Sequence, residues 1–148
     1  MTCTFFGHRD FDGDEIMVAK LEGEIEKLIL EHDVNTFYVG NHGNFDKCVY
    51  YTLKRIKEKY PHIEYKVVLA YSRRPRNRYF ELSECIFPED IDGIEGAPQR
   101  ARIIFRNTWM ISKARYVITY ITRVSGNAAK FALEADQKDR RCINIAFG

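Results

Sequence analysis

No apolar run in this sequence approaches the roughly 20 residues that a membrane-spanning helix needs, so no membrane partner is expected. Cysteine is sparse and scattered. Cys3, Cys48, Cys85 and Cys142 stand singly, and without a C-x-x-C pair neither a zinc knuckle nor a dithiol motif is supported. A chain of this size builds a core without disulfides, so the four read as reduced, mostly buried thiols. An excess of one charge is lacking too: 23 Lys and Arg stand against 21 Asp and Glu, a net charge of +2. That balance gives no whole-chain case for nucleic acid or an anionic surface. The start, Met1-Thr2-Cys3-Thr4-Phe5-Phe6-Gly7-His8-Arg9, lacks the basic opening, long apolar centre and small-residue cleavage site of a signal peptide. A cytoplasmic location is therefore expected. Neither G-x-G-x-x-G nor G-x-x-x-x-G-K-S/T occurs, which disfavours a dinucleotide fingerprint and a P-loop NTPase. No Ser-His-Asp or Cys-His order stands out, and neither a metal nor a cofactor is expected.

What the sequence does contain is one domain's worth of alternating patterns. Its 148 residues are too few for two well-cored domains, and no linker or repeat divides residues 1–148. A β-prone run at residues 2–6 ends at Gly7. Asp12 and Glu15 resemble a capping box, and Val18, Leu21, Ile25 and Leu28 recur at helical spacing. A second strand is predicted at residues 34–39. The stripe Phe45, Val49, Leu53, Ile56, Tyr60 predicts a second helix, stopped by Pro61. A third strand follows at residues 63–70. A third helix carries Ala101, Ile104, Phe105, Thr108 and Ile111 and is entered through Pro98. A fourth strand at residues 116–121, a fourth helix at 128–137 and a last strand at 142–147 complete the chain. The irregular stretch 71–98, Arg-rich and then acidic, breaks the rhythm. Strand–helix alternation predicts an α/β fold, a Rossmann-like three-layer sandwich with a mainly parallel sheet of about five strands.

Such a sheet binds ligands beyond the carboxyl ends of its strands, where strand order reverses. The loops predicted there are unusual. Gly40-Asn41-His42-Gly43-Asn44-Phe45-Asp46 opens a helix whose free N–H groups attract phosphate or carboxylate, with Asn44 as a candidate N-cap. A ligand-free βα turn would use the same glycines. Ser125-Gly126-Asn127-Ala128-Ala129 opens another helix, with Ser125 or Asn127 as a candidate cap and Arg123 beside it. Gly7-His8-Arg9 offers two cations, of which Arg9 has the fork of donors that suits phosphate. Arg102 and Arg106 lie one turn apart and face either the cleft or solvent. Arg73-Arg74-Pro75-Arg76-Asn77-Arg78, followed by Tyr79-Phe80, could track single-stranded nucleic acid, cover an anionic ligand or simply be solvated. Asp46 sits in a helix's first turn, where the dipole favours a carboxylate. It is also the candidate catalytic acid, base or nucleophile.

Four pieces of the sequence together resemble the SLOG superfamily and, within it, the YpsA-like group. They are Thr4-Phe5-Phe6-Gly7-His8-Arg9, Phe37-Tyr38-Val39 running into the Gly40–Asp46 loop, Arg106-Asn107-Thr108-Trp109-Met110-Ile111, and Ser125-Gly126-Asn127-Ala128-Ala129. The resemblance spans nearly the whole chain, in order. It implies a Rossmann-like fold that binds a nucleotide or nucleotide-derived ligand. Related branches are the DNA-processing protein A family, which binds single-stranded DNA, and the lonely-guy phosphoribohydrolases, which cleave an N-glycosidic bond. The hydrolase motif looks like P-G-G-x-G-T-x-x-E, whereas this chain has Val124-Ser125-Gly126-Asn127-Ala128-Ala129-Lys130. Lys130 falls about where the glutamate would stand, and Glu134 is a turn further on. That departure favours a binder, a sensor or regulatory protein, over the alternative of a nucleotide N-glycoside hydrolase that uses Asp46. The expected ligand-binding residues are Gly7, His8, Arg9, Gly40, Asn41, Gly43, Asn44, Arg73, Arg106, Ser125, Gly126 and Asn127. Expected partners are a nucleotide-type small molecule and, as the alternative, nucleic acid. The sequence leaves a homo-oligomer open.

Overall fold

The computed structural model describes residues 1–71 and 74–147. Six parallel strands form one sheet in the order β4-β3-β2-β1-β5-β6. They are β1 (Thr2–Gly7), β2 (Thr36–Val39), β3 (Glu64–Val68), β4 (Cys85–Ile86), β5 (Tyr116–Tyr120) and β6 (Arg141–Asn144). The helices are α1 (Glu15–His32), α2 (Asn44–Lys59), α3 (Arg102–Lys113) and α4 (Asn127–Gln137). The α/β sandwich read from the sequence is therefore present, with a sheet that is wholly parallel and one strand wider.

Strand alternation divides the core in two. Cys3, Phe5, Phe37 and Val67 face the layer built by Leu21, Ile25 and Leu28 of α1 and by Phe45, Val49 and Leu53 of α2. Phe6, Val68 and Val117 face the layer built by Met110 and Ile111 of α3 and by Phe131 and Ala135 of α4. Strands covered on both faces must be apolar on both, which accounts for the continuous runs in β1, β3 and β5. Only two of the four thiols, Cys3 and Cys85, are buried; Cys48 is half-buried and Cys142 is exposed. The expectation of mostly buried thiols thus fails at Cys142, whose edge strand β6 has no neighbour on its far side.

Local chemistry sets most boundaries. Asp14, not Asp12, caps α1: its carboxylate accepts the Met17 N–H at 2.8 Å. Asp33 then takes a left-handed φ of 56° and the Val34 N–H returns to the Leu28 carbonyl, closing the helix. The strand missing from the sequence reading, β4, lies inside the irregular stretch. Val67 and Val68 pair with Cys85 and Ile86. Two residues between short 3-10 turns carry no period, so no alternation betrays them.

The chain lays down β1, β2, β3 and β4 outward in one direction, then returns to place β5 on the other side of β1. Cys3 pairs with Tyr116 and Gly7 with Tyr120, so β1 and β5 end together. The loops after them face each other across the point where strand order reverses, which is where open parallel sheets hold ligands.

Candidate functional site

A cavity of about 240 Å³ opens at that point. Phe6, Ile103 and Met110 supply its apolar wall, and His8, Arg9 and Asp10 enter from the loop after β1. His42 and Asp46 enter from the loop after β2, Arg106 and Asn107 from α3, and Arg123 with Gly126-Asn127-Ala128 from the loop after β5. Glycine keeps parts of this wall thin. A Cβ on Gly40 would stand 2.9 Å from both the Asp46 Oδ2 and the Arg106 Nη1. A Cβ on Gly7 would enter the Phe45 ring.

Arg106 is the centre of the deep end. It is 2% exposed, and burying a guanidinium costs heavily unless its donors are satisfied. Nε donates to Asn107 Oδ1 at 2.7 Å, and Nη1 to the Val68 carbonyl at 2.9 Å and Asn41 Oδ1 at 3.2 Å. Nη2 lies 3.1 Å from His42 Nδ1. Arginine only donates, so that His42 nitrogen accepts and the ring is neutral with its proton on Nε2. Burial, reinforced by Arg106 and Arg9, lowers the His42 pKa to about 4.

Asp46 is 9% exposed, and its Oδ2 accepts the His42 backbone N–H at 2.9 Å. Burial raises its pKa to about 6, against the opposing pull of Arg106, the His42 N–H and Arg9. A carboxyl that changes charge near neutral pH, at the wall of a cavity, can hold or release a proton there.

Two loops brace the rim. The Thr122 N–H donates to His8 Nε2 at 3.0 Å, which fixes His8 as the neutral Nδ1–H form and ties the loop after β1 to the loop after β5. Burial, with Arg123 nearby, lowers the His8 pKa further. Arg123 pairs with Asp10 at 3.1 Å across the same gap. The Asn44 N–H donates to the Arg9 carbonyl at 2.9 Å, joining the loops after β1 and β2. Arg9 itself is exposed, and its guanidinium makes no hydrogen bond or ion pair among the described residues.

Both helix starts differ from the sequence reading. Gly43 with φ 98° caps α2 and Gly126 with φ 93° caps α4, and neither start has a side-chain cap. Asn44, Ser125 and Asn127 are therefore not caps: Asn44 and Asn127 are already the first helical residues, and Ser125 precedes the turn. At α4 the glycine N-cap leaves the first N–H groups without a side-chain partner and open to a ligand, whereas at α2 the first N–H, that of Asn44, is already taken by the Arg9 carbonyl.

Of the residues expected to bind, Gly7, His8, Arg9, Arg106, Gly126 and Asn127 line the cavity. Gly40 and Asn41 stand behind it, shaping and holding Arg106. Gly43 braces Arg9, against whose Cα a Cβ would lie at 2.6 Å. Asn44 and Ser125 are exposed and outside the cavity wall. Arg73 lies outside the described residues; Arg76 and Arg78 are exposed. His42 and Asn107 were missed, although His42 stands inside the glycine loop and Asn107 directly follows Arg106. Among the described residues no group of three His, Cys, Asp or Glu could hold a metal ion, and no helix is long and apolar enough to cross a membrane. No protein-family model matches this sequence, and no curated protein matches it either.

Proposed function

We propose that this protein binds a nucleotide or nucleotide-derived anion at the carboxyl ends of β1 and β5, as a sensor or regulatory protein. One observation carries the reading: the uncapped start of α4, Arg9, unpaired among the described residues, and the Arg123 guanidinium all border one cavity at the strand-order reversal. Free helix N–H groups and guanidinium forks are the groups that recognise phosphate. The cavity's apolar wall suits a sugar or base ring. Its volume lies below the roughly 300 Å³ lower end of drug-sized ligand sites, which favours a single small unit over a dinucleotide. The resemblance to the SLOG superfamily points the same way.

The test is thermal shift against a nucleotide library, because a ligand that binds only the folded state raises the melting temperature. Arg9→Ala is expected to weaken binding by about 1.5–3 kcal/mol, the scale of a hydrogen bond to a charged group. Unchanged affinity in the folded variant would rule Arg9 out.

Asp46 supports a second reading, N-glycoside hydrolysis. Bond cleavage develops positive charge on the ribose, which a carboxylate stabilises, and the Asp46 carboxyl borders the cavity with its pKa raised to about 6. Against it, the exposed Lys130 is the residue one turn into α4 where the hydrolase motif has its acid. Incubation with nucleoside monophosphates and chromatography for free base separates the two. Turnover abolished by Asp46→Asn establishes the hydrolase; its absence, with a nucleotide-induced stabilisation, supports the binder.

A further inference from the structure

The cavity borders on three guanidinium groups, but they are not equally available. Four of the five N–H donors of Arg106 are engaged by protein acceptors. Arg9 is open. Arg123 is occupied by Asp10, with Nη2 at 3.1 Å from Oδ1 and Nη1 at 3.5 Å from Oδ2. A guanidinium fork grips a carboxylate or a phosphate in the same two-pronged way, and only one at a time. Asp10 therefore sits where the oxygens of an anionic ligand would sit.

The pair is also built to open. Its side chains are 47% and 71% exposed, and an ion pair in that setting is weak and screened. The frame around it is not weak. The half-buried His8–Thr122 hydrogen bond joins the same two loops, so parting Asp10 from Arg123 leaves the rim standing.

We propose that Asp10 is a specificity-determining residue: by holding the Arg123 fork it biases the site toward ligands with one phosphate and penalises those with two. The count follows from what is free. Among the described residues, one open fork, Arg9, and one open helix start, α4, accommodate a single phosphate. A second phosphate must take Arg123 from Asp10 and then lie beside the displaced carboxylate. This inference rests on the anion-binding reading of the cavity and adds the charge that the cavity selects.

The experiment titrates inorganic phosphate and pyrophosphate calorimetrically into the wild type, Asp10→Asn, Arg123→Ala and the double variant, at constant ionic strength. Asp10 is exposed, so its substitution leaves the core intact, and melting curves verify folding. Asp10→Asn is expected to tighten pyrophosphate about fivefold and phosphate less than twofold, the scale of a released surface ion pair. In the Arg123→Ala background the gain should vanish. An equal gain for both anions, or one that persists without Arg123, would show only a general field effect and overturn the proposal. No gain in a wild type that binds phosphate overturns this inference alone. Failure of every variant to bind either anion removes the anion site itself, and with it both this inference and the functional reading.

Discussion

Asp46 and His42 answer pH in opposite directions. Burial raises the Asp46 carboxyl to about 6, above the ordinary value it regains on unfolding. Its contribution is therefore complete at acid pH and is lost as pH rises toward 6. His42 is lowered to about 4, so its contribution is complete above the ordinary imidazole value and is lost as pH falls through that range. His8 shares the direction of His42. The two neighbours offset each other between about pH 4 and 6 in the wild type, buried Asp46 worth up to roughly 3 kcal/mol and His42, partly open to solvent and so screened, worth less. Asp46→Asn removes one side of that balance. Its unfolding free energy in urea should fall more steeply between pH 7 and pH 4 than the wild type's, by about 2–3 kcal/mol. Parallel profiles for the two proteins would mean that Asp46 does not titrate in this window.

At the scale of elements, two glycines should respond in opposite ways to the same methyl group. Gly126 has open space around its Cβ position, yet its φ of 93° and ψ of 167° belong to a region that only glycine visits readily. Gly126→Ala is expected to cost about 1–3 kcal/mol with no clash at all. Gly23 lies exposed in the middle of α1, again with nothing within 4 Å. Gly23→Ala should stabilise by about 0.5–1 kcal/mol, because alanine restricts the unfolded chain and suits the helix. Thermal melts of both variants check the pair. The helices themselves were legible because Leu21, Ile25, Leu28 and Phe45, Val49, Leu53 each fall on one face, a signal that survives small errors at the ends. The caps were not. A capping side chain is a local preference, and at α2 and α4 backbone geometry at a glycine replaces it. The loops around the cavity could be read from their glycines and arginines. The burial of Arg106 could not, since its satisfaction depends on the Val68 carbonyl, Asn41 and His42, all remote in sequence.

For the whole molecule, the long excursion between β3 and α3 is fastened rather than loose. Phe80 and Cys85 enter one core layer, and Ile91 and Ile94 the other. Glu84 joins them to the body: its carboxylate accepts the Tyr50 hydroxyl of α2 at 2.6 Å, the Tyr65 hydroxyl of β3 and the Glu81 N–H. Burial opposes that charge, but the two hydroxyls and the N–H together hold the carboxyl below its ordinary pKa. Glu84→Ala strands two hydroxyls and is expected to cost about 2–4 kcal/mol. Hydrogen exchange should then quicken first at Leu69, whose N–H bonds to Ile86 of β4; uniform quickening across the sheet would mean that Glu84 does not hold this segment in particular. The strand order has a consequence of another kind, in the time of synthesis. Of the six strands, Thr2–Gly7 is made first and lies in the interior of the sheet, but one of its flanks has no partner until Tyr116–Tyr120 is made. At translation speeds of roughly 5–20 residues per second, the nascent chain carries an apolar, β-prone segment with an open edge for roughly 5–20 s. What shelters Phe5 and Phe6 during that wait therefore bears on how much protein reaches the fold, apart from how stable the finished fold is.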